Sequence, residues 1–145
     1  MSDLKLLCLP CDGIGPEIMG ASLDVLNTVS SLLDLSVSTE SGLVGLESLQ
    51  RHGTTLQEDL LLQARDEFDG VILGPMSTMD YPPVSEGGRN VSGGFRLGLD
   101  LYANVRPAKS RTGIRNKAPG MDLVIYRENT EGFYPDRNMY QGVGE

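Results

Sequence analysis

Three arginines in the second half of the sequence are the residues best suited to chemistry. Arg96, Arg106 and Arg127 each lie in or beside a largely apolar segment. A guanidinium group is a planar fork that matches a carboxylate or a phosphate, and an arginine in an apolar strand needs an anionic partner. We therefore expect these arginines to bind a small anion, with structural salt bridges to Glu128 or Asp100 as the alternative.

The charge distribution agrees with a small anion and argues against nucleic acid. The formal net charge is −8. Residues 1–85 hold three basic and thirteen acidic side chains, whereas residues 86–145 hold seven acidic side chains and nine basic ones, seven of them arginine. An acidic chain is a poor partner for a polyanion. With no run near the ~18 apolar residues of a membrane span and no signal-peptide pattern, we expect no membrane partner and a cytoplasmic location.

Two glycine- or cysteine-containing motifs near the N-terminus admit more than one interpretation. Cys8 and Cys11 have the spacing of a redox pair or half a zinc site. A redox pair should lie at a helix start, and His52 is the only histidine for a zinc site, so two buried or half-buried thiols are favoured. Gly13 and Gly15 suggest a dinucleotide-binding loop, but its third glycine would fall at position 18, which is isoleucine. A tight strand-to-helix turn is the favoured interpretation.

The elements that must position these residues follow from hydrophobic periodicity. The pattern predicts strands at 4–9, 35–39, 70–74, 101–108 and 123–127, and helices at 16–31, 46–51, 56–67 and 91–98. Alternating strands and helices predict an α/β fold with a parallel-rich, doubly wound sheet. Ligands of such folds bind at the carboxyl ends of the strands. The long segment 75–90 is expected to be either functional or disordered.

Three segments together resemble the isocitrate/isopropylmalate dehydrogenase family. They are residues 12–17 (DGIGPE), 100–107 (DLYANVRP) and 127–134 (RENTEGFY). The resemblance runs over essentially the whole chain, with the motifs in the expected order and spacing. It implies the isopropylmalate dehydrogenase-like fold, incomplete at the C-terminus. Residues 1–100 would be the N-terminal part of the first, large α/β domain, and residues 101–145 the truncated start of the second domain.

The resemblance also implies a role for individual residues. Arg96, Arg106 and Arg127 match the arginines that bind the carboxylates of the substrate, and Tyr134 matches the tyrosine that protonates the enol left by decarboxylation. Two positions tune substrate specificity and three lie at the nicotinamide end of the cofactor. The specificity positions are Asn90 and Ser92, and the cofactor positions are Ile14, Ser77 and Thr78.

The implied reaction is oxidative decarboxylation of a malate-type 2-hydroxy acid. NAD or NADP accepts a hydride, and Mg²⁺ or Mn²⁺ polarises the keto group and stabilises the enolate. The family's catalytic lysine and metal ligands would lie beyond residue 145, so the chain itself supplies no metal ligand and is expected to be inactive and poorly stable alone. The complete protein is expected to be a homodimer that binds a small polycarboxylate.

The sequence departs from the family pattern at two places besides its length. Cys11 replaces the usual glycine before Asp12, a change that is tolerable if the backbone there is unstrained. The specificity positions Asn90 and Ser92 are polar. Isocitrate enzymes tend to have serine at the position of Asn90 and asparagine at the position of Ser92, so the two residue types are exchanged in this sequence. Isopropylmalate enzymes have leucines near Ser92 and Gly93, so the sequence favours isocitrate or a smaller polar acid such as tartrate or malate.

Three functional classes stay open on the sequence alone. The favoured one is an enzyme or the N-terminal piece of one, with 3-isopropylmalate dehydrogenase activity as the alternative substrate assignment. A second is a non-catalytic regulatory subunit of the same family. A third is a stand-alone module that binds citrate-like acids and requires neither metal nor nicotinamide.

Overall fold

The computed structural model describes residues 3–130. Two compact units divide the chain, one up to Phe95 and one from Arg96. The helices and strands follow in this order: β1 (Leu4–Leu9), α1 (Gly15–Leu32), β2 (Val37–Ser41), α2 (Gly45–His52), α3 (Glu58–Glu67), β3 (Gly70–Leu73), α4 (Val91–Gly98), β4 (Ala103–Lys109) and β5 (Asp122–Glu128). Each predicted strand and helix is therefore present, with ends shifted by a few residues.

The first unit is built on a parallel sheet with the strand order β2-β1-β3. Leu6 of the central strand lies opposite Thr39 on one side and Gly70 on the other. The central strand is the apolar run expected of a buried parallel strand. Its last three residues, 7–9, are at most 2% exposed. The predicted parallel sheet is confirmed for this unit.

The helices cover the sheet in the doubly wound manner. α1 connects β1 to β2, while α2 and α3 connect β2 to β3 and so cross β1 in the opposite direction. Because crossover connections are right-handed, opposite directions place the helices on opposite faces of the sheet. On one face, the side chains of Leu7, Leu9 and Leu60 meet around Gly42. The predicted α/β class is confirmed, and the carboxyl ends of β1 and β3 lie next to each other.

Helix α1 carries Ile18, Val25 and Val29 at helical spacing, but this apolar stripe is not the side of the helix that packs. Ile18, Val25 and Val29 are 44%, 63% and 41% exposed, whereas Met19 and Ser30 are buried. Leu23 and Leu26 are half-buried on the same side as Met19, so α1 is apolar on both sides, which is typical of a helix covered on both sides. No helix among residues 3–130 is long and apolar enough to cross a membrane.

The second unit contains a separate antiparallel pair of strands. β4 pairs with β5 along its whole length, and Arg106 lies opposite Ile125 while Asn104 lies opposite Arg127. The buried Asn129 follows β5, and its Nδ2 donates a hydrogen bond of 3.0 Å to the carbonyl oxygen of Leu101. The parallel sheet expected from the sequence therefore does not include these two strands.

Candidate active site

A tight turn joins β1 to α1 at the carboxyl end of the sheet. Gly13 has a φ of +57°, and Gly15 packs so closely that a Cβ there would lie 1.9 Å from the carbonyl oxygen of Pro10. Only glycine tolerates such an approach. The two glycines therefore serve the strand-to-helix turn that the sequence favoured over a complete dinucleotide fingerprint.

Cys11 lies in the same turn and has a φ of +63°, in the left-handed region. A side chain is strained there by about 1–2 kcal/mol, which explains why a glycine suits this position. The condition for a tolerable change, an unstrained backbone, is thus not met. Burial raises the pKa of Cys11 to about 11 and that of Cys8 above its ordinary value, and both cysteines are free thiols. Cys8 is buried and Cys11 is half-buried, and protonated thiols are poor nucleophiles, so a packing role is favoured for both.

Asp12 is a buried carboxylate that joins three segments of the first unit. Its Oδ1 accepts the N–H of Leu46 at 2.7 Å, in the first turn of α2. Its Oδ2 accepts the N–H of Ser77 at 3.1 Å and the hydroxyl of Tyr81 at 2.5 Å. Its own N–H donates to the carbonyl oxygen of Pro75 at 3.0 Å. The sequence analysis gave Asp12 no role, since its partners lie 34 to 69 residues away.

We call the predicted cofactor residues Ile14, Ser77 and Thr78 the cofactor surface. Ser77 contacts the Asp12 carboxylate, Ile14 lies two residues after Asp12 in the chain, and Thr78 follows Ser77. Ile14 is 58% exposed and directly precedes α1, and Thr78 opens a short 3-10 turn. A Cβ added to Gly13 would meet only the Oγ of Ser77 within 4 Å, at 3.9 Å. The structure thus brings the two loops together and leaves open space above Gly13. An exposed apolar side chain, hydroxyl groups and an open backbone are groups that can contact a nicotinamide ring and its amide.

The predicted specificity residues lie at the start of α4. The Oδ1 of Asn90 accepts the N–H of Gly93 at 2.9 Å, and the carbonyl oxygen of Asn90 accepts the N–H of Gly94 at 2.7 Å. Asn90 is therefore the N-cap of α4, a role that asparagine fills well. Ser92 is half-buried in the first turn of the helix. An asparagine directly before a predicted helix is a sequence sign of an N-cap, which the sequence analysis overlooked.

The three predicted substrate arginines all belong to the second unit. Arg96 is half-buried in the last turn of α4, Arg106 is exposed on β4 and Arg127 is half-buried on β5. Opposite residues of an antiparallel pair share a face, and so do residues two apart along a strand. The register therefore puts Arg106 and Arg127 on one face, together with Asn104. The Nε of Arg106 donates to the Oδ1 of Asn104 at 2.8 Å, which fixes the plane of the guanidinium.

Two further expectations concern the proton donor and the metal. Tyr134 lies outside the described residues. Within residues 3–130, no group of three or more His, Cys, Asp or Glu side chains is arranged to hold a metal ion. The role of Ile14, Ser77 and Thr78 in cofactor binding therefore stays a prediction, and residues 3–130 offer no ligand set for Mg²⁺ or Mn²⁺.

The pattern of isocitrate/isopropylmalate dehydrogenases matches residues 5–144 of the sequence. The chain belongs to this family. Among curated relatives, it is 38% identical to a probable tartrate dehydrogenase/decarboxylase of Agrobacterium vitis, an alignment that covers 92% of the chain and 38% of the relative. It is 36% identical to the 3-isopropylmalate dehydrogenase of Methanothermobacter thermautotrophicus, over 99% of the chain and 40% of the relative.

Solved structures of the isocitrate/isopropylmalate dehydrogenase family have the same fold. Isocitrate dehydrogenase from Methylococcus capsulatus superposes with a TM-score of 0.74 at 33% identity, over 97% of this chain and 39% of that one. A β-decarboxylating dehydrogenase from Thermococcus kodakarensis gives 0.69 at 32% identity, over 89% of this chain and 35% of that one. The predicted family and fold are confirmed. The chain spans about two fifths of the length of these relatives.

Proposed function

We propose that the complete protein, meaning the product of the whole reading frame that contains this sequence, oxidatively decarboxylates a malate-type 2-hydroxy acid. The observation that carries the proposal is the shared face of Arg106 and Arg127 on β4 and β5, in a chain of this family. Two guanidinium groups on one face can each bind one carboxylate and so fix the orientation of a dicarboxylic acid. Arg96 is proposed as the third arginine of the substrate site.

The proposed roles of this chain's residues are binding, orientation and proton transfer. NAD or NADP supplies the hydride acceptor, and the cofactor surface is proposed to contact its nicotinamide end. The arginines hold the carboxylates in place while the bond to the departing carboxylate breaks. Tyr134 is proposed to deliver the proton to the enol. The ligands of the divalent metal ion, Mg²⁺ or Mn²⁺, are proposed to be residues of the complete protein beyond Glu145.

A polar substrate is favoured over 3-isopropylmalate. Asn90 and Ser92 are polar, and Gly93 presents no side chain, so the start of α4 offers little apolar surface to an isopropyl group. Each unburied CH₂ forfeits about 0.8 kcal/mol of binding. Isocitrate, tartrate and malate are therefore the proposed candidates, with 3-isopropylmalate as the alternative. Both tartrate and 3-isopropylmalate dehydrogenases occur among the relatives.

The test is a kinetic panel on the complete protein with NAD and NADP and either Mg²⁺ or Mn²⁺. Isocitrate, tartrate, malate and 3-isopropylmalate are compared by kcat/KM, with CO₂ release measured alongside reduced cofactor. We expect the highest kcat/KM for one of the three polar acids. The highest value for 3-isopropylmalate would overturn the substrate assignment. Binding of the acids without turnover would identify a regulatory subunit instead of an enzyme.

The chain of 145 residues is proposed to be inactive by itself. The described residues contain no metal-binding group of three or more acidic, histidine or cysteine side chains, and α1 exposes Val25 and Val29. The complete protein is proposed to be a homodimer, as the family resemblance implies, and to be cytoplasmic, as expected from the sequence pattern. Light scattering coupled to gel filtration measures the oligomeric state, and cofactor reduction by purified 1–145 would contradict the first proposal.

A further inference from the structure

Asp12 uses both carboxylate oxygens to hold two loops at the carboxyl end of the sheet. Asp12 is only 7% exposed. Oδ1 binds the start of α2 through Leu46, and Oδ2 binds Ser77 and Tyr81 in the segment after β3. A buried carboxylate must have its lone pairs satisfied, and these three donors do so. We call Asp12, Leu46, Ser77 and Tyr81 the Asp12 cluster.

The Asp12 cluster lies directly behind the cofactor surface. Gly13 and Ile14 follow Asp12 in the chain, and the N–H of Ser77 binds the carboxylate while its Oγ faces Gly13. Asp12 also draws the two loops together through its backbone, because its N–H donates to Pro75. The position of the Ser77 hydroxyl relative to Ile14 thus depends on hydrogen bonds to Asp12.

Tyr81 anchors the C-terminal end of the short segment that carries Ser77 and Thr78. Its hydroxyl reaches Oδ2 of Asp12 at 2.5 Å, the short distance typical of a hydroxyl bound to a carboxylate. Burial, and then the adjoining carboxylate, raise the pKa of Tyr81, so the hydroxyl stays a donor at neutral pH. The contact joins two residues that lie 69 positions apart in the sequence, and it anchors the residue that directly follows the 3-10 turn Thr78–Asp80.

We propose that Asp12 and Tyr81 are positioning residues whose hydrogen bond preforms the cofactor surface for the nicotinamide end of NAD or NADP. The inference rests on the proposed dehydrogenase function and adds two residues that touch the surface from behind. A surface that is already ordered costs less free energy to bind than one that must first be ordered. Loss of the Tyr81 hydroxyl should therefore weaken the cofactor more than the acid.

The first experiment uses Tyr81→Phe in the complete protein, since phenylalanine keeps the ring and removes only the hydroxyl. NADH and NADPH binding is measured by fluorescence, and hydrogen exchange is followed over residues 76–81. We expect the Kd of the preferred reduced cofactor to rise about tenfold and exchange over 76–81 to accelerate. The KM of the acid should change by less than about twofold. Tyr102→Phe is the matched control, because Tyr102 is 94% exposed, and it should change neither quantity.

A second variant, Asp12→Asn, tests the acceptor side of the same contact. Asparagine has one acceptor oxygen, so an amide NH₂ group must face the N–H of Ser77 or of Leu46. The hydroxyl of Tyr81 can still adapt as an acceptor. We expect a larger rise in the cofactor Kd than Tyr81→Phe causes. If Asp12→Asn does not fold, Tyr81→Phe alone decides.

The outcomes separate the inference from the function on which it rests. Wild-type protein that binds neither NADH nor NADPH would refute the proposed function and the cofactor surface with it. Wild-type binding that Tyr81→Phe leaves unchanged, with unchanged exchange over 76–81, would refute the positioning role alone. Equal effects of Tyr81→Phe and Tyr102→Phe would refute it too. A rise in the KM of the acid as large as the rise in the Kd of the cofactor would mean general destabilisation rather than positioning.

Discussion

Thr55 and Arg89 hold each other by two hydrogen bonds that run in opposite directions. The hydroxyl of Thr55 donates to the carbonyl oxygen of Arg89 at 2.7 Å and accepts its N–H at 2.8 Å. The N–H of Thr55 also donates to Gly87 at 3.0 Å. Asp12 holds the start of the segment 75–90 and Thr55 holds its end. The long segment is therefore ordered by two buried polar side chains, and the alternative that it is disordered is wrong.

Replacing Thr55 by valine tests this role with little change in side-chain volume. Thr55 is fully buried, and valine would leave the N–H and the carbonyl oxygen of Arg89 without the hydroxyl. We expect the free energy of unfolding of the complete protein to fall by about 1–2 kcal/mol, measured by urea denaturation. Thr28→Val is the control, because Thr28 makes the exposed hydrogen bond to Asp24 on α1 and should cost under about 0.5 kcal/mol. Equal losses in both variants would contradict the role.

Two substitutions of Asn90 can distinguish its role as the N-cap of α4 from a role in substrate recognition. Asn90→Ala should lower the free energy of unfolding by about 1 kcal/mol, because it removes the acceptor for the N–H of Gly93. Asn90→Ser keeps a good N-cap and should restore most of this stability. If the amide also contacts the acid, kcat/KM should stay reduced in Asn90→Ser. Recovery of both stability and kcat/KM would mean that Asn90 is a cap only.

Cys11→Gly should stabilise the protein. The φ of +63° strains any side chain at this position, and glycine relieves the strain while adding freedom to the unfolded chain. The relief of about 1–2 kcal/mol of strain is offset by an entropy cost of about 0.5–1 kcal/mol and by the packing lost with the half-buried thiol, so the net gain in the free energy of unfolding should be below about 1 kcal/mol. The matched control is Cys8→Gly in the buried strand β1, where no such strain exists and the same change should destabilise. A loss of stability in Cys11→Gly as large as that in Cys8→Gly would contradict the strain.

The thiol of Cys11 should also give the stability a pH dependence. Burial raises its pKa from 9.0 to about 11, so the folded protein keeps the proton longer than the unfolded chain does. This contribution is complete below pH 9 and is lost as the pH rises towards 11. The wild-type protein should therefore lose more stability than Cys11→Gly between these values, in urea denaturation at stepped pH. Parallel curves for the two proteins would show that the thiol titrates normally.

The elements that the sequence predicts well are those whose pattern is local. The strands β1 and β3 are short apolar runs, and Gly53 ends α2 with a φ of +73°, as a C-terminal glycine should. The cap made by Asn90 was equally local and could have been found from its place before an apolar helix. Periodicity thus suffices where neighbours along the chain decide the conformation.

The parts that the sequence did not predict depend on contacts between distant residues. The Asp12 cluster joins positions separated by 34, 65 and 69 residues, and nothing in a single sequence pairs them. The antiparallel pairing of β4 and β5 was more accessible. Residues 110–121 connect the two strands, and their turn residues Gly113, Pro119 and Gly120 disfavour the helical crossover that parallel neighbours need. The two apolar sides of α1 could be seen in the sequence, but not which one packs in this part of the protein.

Arg106 and Arg127 provide the most direct test of the substrate site. Lysine keeps the charge of either residue but loses the planar fork that binds a carboxylate through two N–H groups. We expect Arg106→Lys and Arg127→Lys each to lower kcat/KM for the acid by about 10–100-fold in the complete protein, mainly through KM. The Kd of the preferred reduced cofactor should stay within about twofold, because the cofactor surface belongs to residues 14, 77 and 78.

The control for these arginines is Arg115→Lys, in the exposed connection between β4 and β5. Arg115→Lys makes the same change at a residue that does not lie on the face shared by Arg106 and Arg127. Its kcat/KM should therefore match that of the wild type. Asn104→Ala adds a finer test, because it removes the oxygen that fixes the Nε of Arg106 at 2.8 Å. It should raise the KM of the acid less than Arg106→Lys does, since the guanidinium group remains. Wild-type kinetics in both Arg106→Lys and Arg127→Lys would remove the arginine face from the substrate site and leave β4 and β5 with a structural role alone.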